Sequence, residues 1–334
     1  MPNAFVTGVA GFLGSHVAEL LRNDGWRVQG IDNLQGGRPE NVPDGVELRV
    51  TDCLERGSYV DMLSGTDVVY HCASAAYDGL SVFSPAFVYK NTVQATVEVA
   101  TAAVAQGVGR FVHCSSMARY GALTSPFTED MQPVPESPYG LAKYSSELIV
   151  EKLFTIHGGE YSIAIPHNII GPRQRFDDPY RNVAAIMINR MLLGKQPIIY
   201  GDGSQTRCFS FIGDVIFCLE RMGTSAAAVG EAINIGPDEG EETILSLAET
   251  IADILGFNID PIFVPDRPLE VPIATCSADK ARRLLGYETK TPLRQGLVNM
   301  ATWIERQGPA QFVYGLDIEI SRDNTPTTWI DKLI

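Results

Sequence analysis

The chain opens on a short apolar run, Ala4-Phe5-Val6, that breaks into Thr7-Gly8-Val9-Ala10-Gly11-Phe12-Leu13-Gly14 and resumes as Val17, Leu20 and Leu21 at helical spacing. Strand, glycine turn and helix in that order constrain the fold more than any other feature. Glycines at Gly8, Gly11 and Gly14 let a backbone approach a pyrophosphate closely, and the amides and dipole of a helix start favour its negative charge. A second strand, Val28 to Ile31, ends at Asp32, roughly the 20 residues downstream at which an acidic side chain takes a ribose hydroxyl. An acid there repels a 2′-phosphate, so the pattern predicts NAD rather than NADP. Further strands over Val46–Val50, Val68–Tyr70 and Arg110–His113 alternate with helical patterns, which predicts an α/β chain with a doubly wound parallel sheet.

A second constellation lies further along. Ser137 is a helix cap and Pro138 suits a first helical turn, so a helix is expected from Pro138, with His157-Gly158-Gly159 as its stop. Tyr139 and Lys143, four residues apart, then share a face, with Cβ atoms roughly 5–6 Å apart. An ammonium beside a phenol favours the phenolate, so the spacing predicts a lowered tyrosine pKa and a base usable near neutral pH. The Ser115-Ser116 pair upstream adds a hydroxyl.

Taken together, the Thr7–Gly14 turn, Asp32-Asn33, Asp52, His71-Cys72-Ala73, Ser115-Ser116, Tyr139 with Lys143, Asn168 before Gly171-Pro172-Arg173, and Gly201-Asp202-Gly203 before Arg207 resemble the extended short-chain dehydrogenase/reductase family. The resemblance is to its nucleotide-sugar epimerase and dehydratase branch and runs over nearly the whole chain. It implies a Rossmann-type sheet with a smaller, interleaved substrate-binding α/β lobe. It further implies an NAD site lined by Phe12, Leu13, Asp32, Asn33, Asp52, Cys53, Cys72 and Ala73, with Asn91 in support and His167 facing the nicotinamide. Ser116 resembles the catalytic hydroxyl, four residues before Tyr120-Gly121. Asn168, Asn182, Arg207 and Arg267 resemble contacts to a nucleotide diphosphate, for which a guanidinium offers a planar fork of donors.

Dehydratases of this branch place an Asp-Glu pair directly after the catalytic hydroxyl, and the related decarboxylases carry a glutamate at the second of those positions. Here Met117 and Ala118 stand there. What the resemblance leaves is C4 epimerisation of a nucleotide-diphosphate sugar, a UDP-hexose first, through a transient 4-keto sugar. Two alternatives stay open: a dehydratase or reductase with a rearranged site, and a catalytically silent NAD-binding regulator. Several positions depart from the pattern. His167 replaces an aromatic, Thr92 an asparagine, Ala95 a glycine, and Arg119 is unusual; His167 and Arg119 leave open a changed sugar, a uronic acid included. Ala274 resembles the residue that limits room around the sugar, where a small side chain would admit an N-acetyl group.

At 334 residues and 45% hydrophobic content the chain has ample core for two lobes. The cofactor lobe is expected over residues 1–165, regaining 209–222 and 232–236, with 166–334 mainly the substrate lobe. From about Pro309 a mixed polar and aromatic stretch extends beyond what the resemblance explains. A net charge of −14 argues against nucleic acid and anionic membranes as partners. Six cysteines without paired spacing, no leader and no apolar run near the ~20 residues of a membrane span predict a soluble cytoplasmic protein. Helical stretches around 86–106 and 138–157 resemble those that pair this family into homodimers.

Overall fold

Apolar runs spaced through the first half of the chain pair into one sheet. The computed structural model describes residues 1–334. Strands β1 (Asn3–Thr7), β2 (Arg27–Asp32), β3 (Glu47–Val50), β4 (Val68–His71), β5 (Arg110–Cys114) and β6 (Glu160–Pro166) lie in the order β6-β5-β4-β1-β2-β3, and a seventh, Ala232–Ile235, adds to the β6 edge. Every pairing is parallel; Val6, for example, lies between Gly30 and Tyr70. Parallel neighbours need crossovers, so helices cover both faces of the sheet.

The helices of this part are α1 (Phe12–Asn23), α2 (Asp78–Ser81), α3 (Pro85–Tyr89), α4 (Ala95–Ala105) and α5 (Pro138–His157). Val17 and Leu21 of α1 pack on one face, and Val99 and Ala103 of α4 with Val150 and Phe154 of α5 pack on the other. Each of the larger ones, the valines, Leu21 and Phe154, contributes about 1.5–3 kcal/mol. After β6 the chain builds a second body around α6 (Val183–Leu192), then returns to the first for α7 (Ile212–Thr224) and the Ala232–Ile235 strand. The second body has its own core, in which Met187 and Met191 of α6 meet Leu247 and Ile251 of the Ile244–Leu255 helix and Leu297 and Ile304 of the Leu293–Gln307 helix. No helix is long and apolar enough to cross a membrane.

Two local features place the chemistry. Gly8 turns at φ 69°, and a Cβ on Gly14 would sit 2.1 Å from the Gly8 carbonyl oxygen, so α1 reaches β1 this closely only because both are glycine. The start of α5 is fixed by the Ser137 hydroxyl, which accepts from the Gly140 amide at 3.0 Å, with Pro138 in the first turn and Gly158 ending the helix at φ 73°.

Candidate functional site

A cleft of about 590 Å³ opens at the C-terminal edge of the sheet, between the loops that follow β1, β2, β4 and β5 and the second body. Open α/β sheets bind ligands at that edge, where strand order reverses, and the volume suits a small-molecule pair.

On the β1 side the residues present fit a dinucleotide. Gly11 offers α1 no side-chain cap and the first turn carries no acidic residue, which leaves the opening amides of the helix for a pyrophosphate. Gly8, Phe12 and Leu13 line the cleft there. Asp32 ends β2 and accepts from the amides of Ala10 at 3.0 Å and Leu34 at 2.8 Å. Burial pushes its carboxyl up while the same amides and Arg181 pull it back. Asn33 Nδ2 donates to Asp52 Oδ2 at 2.8 Å, which orders the far rim, and the buried Cys53 follows. Cys72 and Ala73 follow β4, with Ala73 N donating to Thr7 Oγ1 at 3.2 Å, and Asn91 is held by the Phe87 carbonyl at 2.8 Å. All of these open onto the cleft.

His167 departs from the expectation. Its ring is turned away from the cleft into the core, with Nε2 at 3.0 Å from the Pro237 carbonyl, against Gly236, where a Cβ would come within 2.5 Å of the ring. Burial lowers its pKa, opposed by that carbonyl. The neighbouring Pro166 and Asn168 line the cleft instead, because side chains alternate sides as β6 ends.

Tyr139, Lys143 and Ser116 come together across the middle of the cleft. Lys143 Nζ donates to the Cys114 carbonyl at 2.8 Å and lies 5.8 Å from the Tyr139 ring centre. The structure corrects the expected direction of the tyrosine shift. Burial pushes the Tyr139 phenol up, with the Ser116 hydroxyl opposing and Asp78 adding to the rise. Burial also pushes Lys143 down to about 8. Desolvation disfavours both charged forms, and here it is the largest cause of each shift. Ser116 caps a short turn, Met117–Arg119, by accepting from Ala118 N at 3.2 Å.

Residues not anticipated from sequence complete this centre. Glu147 lies one further turn along α5, on the face of Tyr139 and Lys143, and accepts from the Ser115 hydroxyl while its other oxygen is 2.8 Å from Arg119 Nη1. Arg119 and Glu147 are both buried, with the guanidinium between the rings of Tyr120 and Tyr144 at 5.4 and 5.3 Å. The pair is close but poorly aligned, so Nε and Nη1 of Arg119 lack well-formed hydrogen bonds. Burial pushes Glu147 up to about 7, against Arg119, Ser115 and Lys143. The signal in the sequence was the four-residue step repeated once more. Asp78 had no such signal. It accepts from the Ser137 hydroxyl at 2.5 Å and lines the cleft beside Tyr139; its side chain is exposed, and the surrounding protein raises its pKa.

On the far side Asn168 sits at φ 43° with Nδ2 donating to the Cys208 carbonyl at 2.9 Å. Asn182 caps α6, its Oδ1 accepting from Ala184 N at 3.0 Å. Arg207 and Arg267 meet on one carboxylate, Glu270, at 3.0 and 2.6 Å. Glu270, three residues past Arg267, thus aims both guanidinium forks at one place. Ala274 lines the cleft as a small residue.

Residues 4–236 match the NAD dependent epimerase/dehydratase family. A UDP-glucose 4-epimerase of Mycolicibacterium smegmatis is 32% identical over 304 residues, covering 87% of this chain and 95% of that protein. The crystal structure of a Thermotoga maritima UDP-glucose 4-epimerase with UDP-glucose superposes with a TM-score of 0.85 at 30% identity, over 91% of this chain and 99% of that one. A Bacillus cereus UDP-glucuronic acid 4-epimerase in complex with UDP-glucuronic acid and NAD gives 0.84 at 30% identity, over 92% and 100%.

Glu147 is the charged partner of the buried Arg119 guanidinium. Glu147→Ala strands a buried guanidinium and is expected to cost about 3–5 kcal/mol. Urea unfolding followed by circular dichroism checks it; a loss under about 1 kcal/mol, the range of an exposed ion pair, would show that the pair is not a brace.

Proposed function

The chain belongs to the NAD-dependent epimerase/dehydratase family, and we propose that it is an isomerase that inverts C4 of a UDP-hexose. NAD is its cofactor. The observation that carries the reading is the convergence of Tyr139, Lys143 and Ser116 on one cleft whose next two positions, Met117 and Ala118, bring no carboxyl group. Elimination of water needs an acid and base there, whereas epimerisation needs one proton acceptor.

In the proposed mechanism Arg207 and Arg267 hold the diphosphate, with Asn168 and Asn182 beside them. Tyr139 takes the proton of the sugar 4-hydroxyl, oriented by Ser116, and Lys143 stabilises the phenolate. Bound NAD⁺ supplies a hydride acceptor, then a hydride donor, at C4. The 4-keto sugar turns about its diphosphate linkage while the arginines keep their grip. The turned sugar presents the opposite face of C4 for hydride return, and Tyr139 gives the proton back to the 4-oxygen. Water is excluded because the centre is buried, so the proton stays between Tyr139 and the sugar. Residues 1–165 with 209–222 and 232–236 serve the cofactor in this reading, and most of 166–334 the substrate.

Asp78 favours a neutral sugar, since a carboxylate beside Tyr139 repels a uronate, and the small Ala274 leaves room for an N-acetyl group. The six free cysteines support a reducing cytoplasmic setting. A homodimer is supported by Leu141 and Leu148, exposed two turns apart on α5, with Tyr89 of α3 also exposed.

Purified protein incubated separately with UDP-glucose, UDP-N-acetylglucosamine and UDP-glucuronate is expected to form the C4 epimer of a neutral sugar, at a ratio reached from both directions by NMR. Tyr139→Phe is expected to lower kcat by roughly 10²–10⁴-fold with NAD still bound, and unchanged turnover would remove its role. For pH, kcat/KM rises as the raised phenol loses its proton. Lys143→Met is expected to move that rise to higher pH by about one unit or more; a profile that stays in place would separate Lys143 from Tyr139. Light scattering is expected to give twice the chain mass of 36.4 kDa, and a monomer would exclude the α5 pairing.

A further inference from the structure

The stretch from Pro309 to Ile334 crosses from the second body to the first and back. Ala310 exchanges two hydrogen bonds with the Asn189 amide of α6, at 3.0 and 2.8 Å, and Val313 N donates to the Asp177 carbonyl at 2.8 Å. The chain then reaches the cofactor side. Ser84 Oγ donates to the Asp317 carbonyl at 2.9 Å and Ile320 N to the Phe83 carbonyl at 2.8 Å. The Glu319 carboxylate accepts from the Ala86 and Phe87 amides at 2.9 and 2.8 Å, which caps α3. A last short helix, Thr327–Ile330, returns it to the Ile198–Tyr200 strand, where Thr328 Oγ1 lies 2.6 Å from the Tyr200 hydroxyl. Arg190 Nη1 of α6 donates to the Leu333 carbonyl at 3.0 Å.

This path ends inside the cleft. Trp329 is 3% exposed and stands edge-on to Phe83 at 5.8 Å and Tyr180 at 5.3 Å. The same apolar cluster holds Tyr139 and Ile334. Trp329 and Ile334 line the cleft together with Tyr139, Arg207 and Arg267. A Cβ on Gly79, next to Asp78, would lie 3.3 Å from Arg267 Nη1 and 3.6 Å from the Trp329 ring. The indole therefore borders the guanidinium aimed at the diphosphate. A charged diphosphate held by arginines leaves its flanking ring against whatever lies beside them, and beside Arg267 that is Trp329.

We propose that residues 309–334 form a wall of the sugar-nucleotide site, with Trp329 the specificity-determining side chain that packs on the nucleotide sugar beside Arg267. The proposal rests on the nucleotide-sugar reading above and adds to it a segment that the family's motifs do not include. It assigns the strap a binding role, distinct from proton transfer, so its loss acts on KM and on the choice among sugars.

The test uses the full chain and two substitutions. Trp329→Ala is expected to raise KM for the preferred UDP-sugar by about tenfold, the size of one aromatic packing contact, with kcat and NAD content close to those of the unsubstituted protein and a lowered thermal midpoint, because the indole is buried. Of the three tryptophans, Trp26, Trp303 and Trp329, only Trp329 lines the cleft. UDP is therefore expected to quench fluorescence in the unsubstituted protein and not in Trp329→Phe, which preserves most of the packing. A folded Trp329→Ala with unchanged KM, or quenching by UDP that is absent from the unsubstituted protein or persists in Trp329→Phe, overturns the wall. Quenching that depends on Trp329 in a protein that converts no UDP-sugar supports the wall and removes the epimerase reading instead.

Discussion

The arrangement depends on a polar lock buried between α5 and the end of β5. The Lys143 ammonium on the Cys114 carbonyl, with Glu147 joining Ser115 to Arg119 one turn further on, ties helix to strand at the point where both carry reactive groups. Buried polar groups cost several kcal/mol unless partnered, so these contacts admit one register of α5 against the sheet. Shifting the helix by a residue would strand an ammonium, a carboxylate and a guanidinium together. The lock thereby holds Tyr139 opposite Ser116, and its outer members, Glu147 and Arg119, stand behind the cleft lining.

The same burial sets the chemistry. A medium that strengthens each charge interaction also penalises each lone charge. Here the penalty wins, so the Tyr139 phenol is raised and the Lys143 ammonium is brought down to about 8. Further out, Glu270 neutralises and aims Arg207 and Arg267. A chain of net charge −14 can thus receive an anionic ligand, because the local field in the cleft is set by paired guanidinium groups whose partner an incoming diphosphate can replace. The 309–334 stretch joins this region to α3 and α6, so both bodies contribute to one enclosed space.

Much of this was legible beforehand. The β1–turn–α1 unit, the acid ending β2 and the span of α5 are local: glycine conformations, a serine cap and a proline in the first turn act over a few residues. Where legibility ended, distance in sequence was the reason. The side to which His167 points is decided by Pro237 and Gly236, seventy residues on. Asp78 becomes a cleft residue through Ser137, and Trp329 through Phe83 and Tyr180. Helix spacing alone predicts the wrong sign for the phenol's pKa shift, because it reports a neighbouring charge and not how much water the fold removes.

By itself, then, the order of residues determined the doubly wound sheet, the preference for an unphosphorylated dinucleotide, and which tyrosine, lysine and serine could meet, since each follows from short-range backbone preference and periodicity. Tertiary structure alone decided that Glu147 and Arg119 brace them, that Glu270 gathers the two arginines, and that a distant segment closes the cleft. Those outcomes depend on burial and on contacts between residues far apart in the chain, and neither quantity exists until the chain has packed.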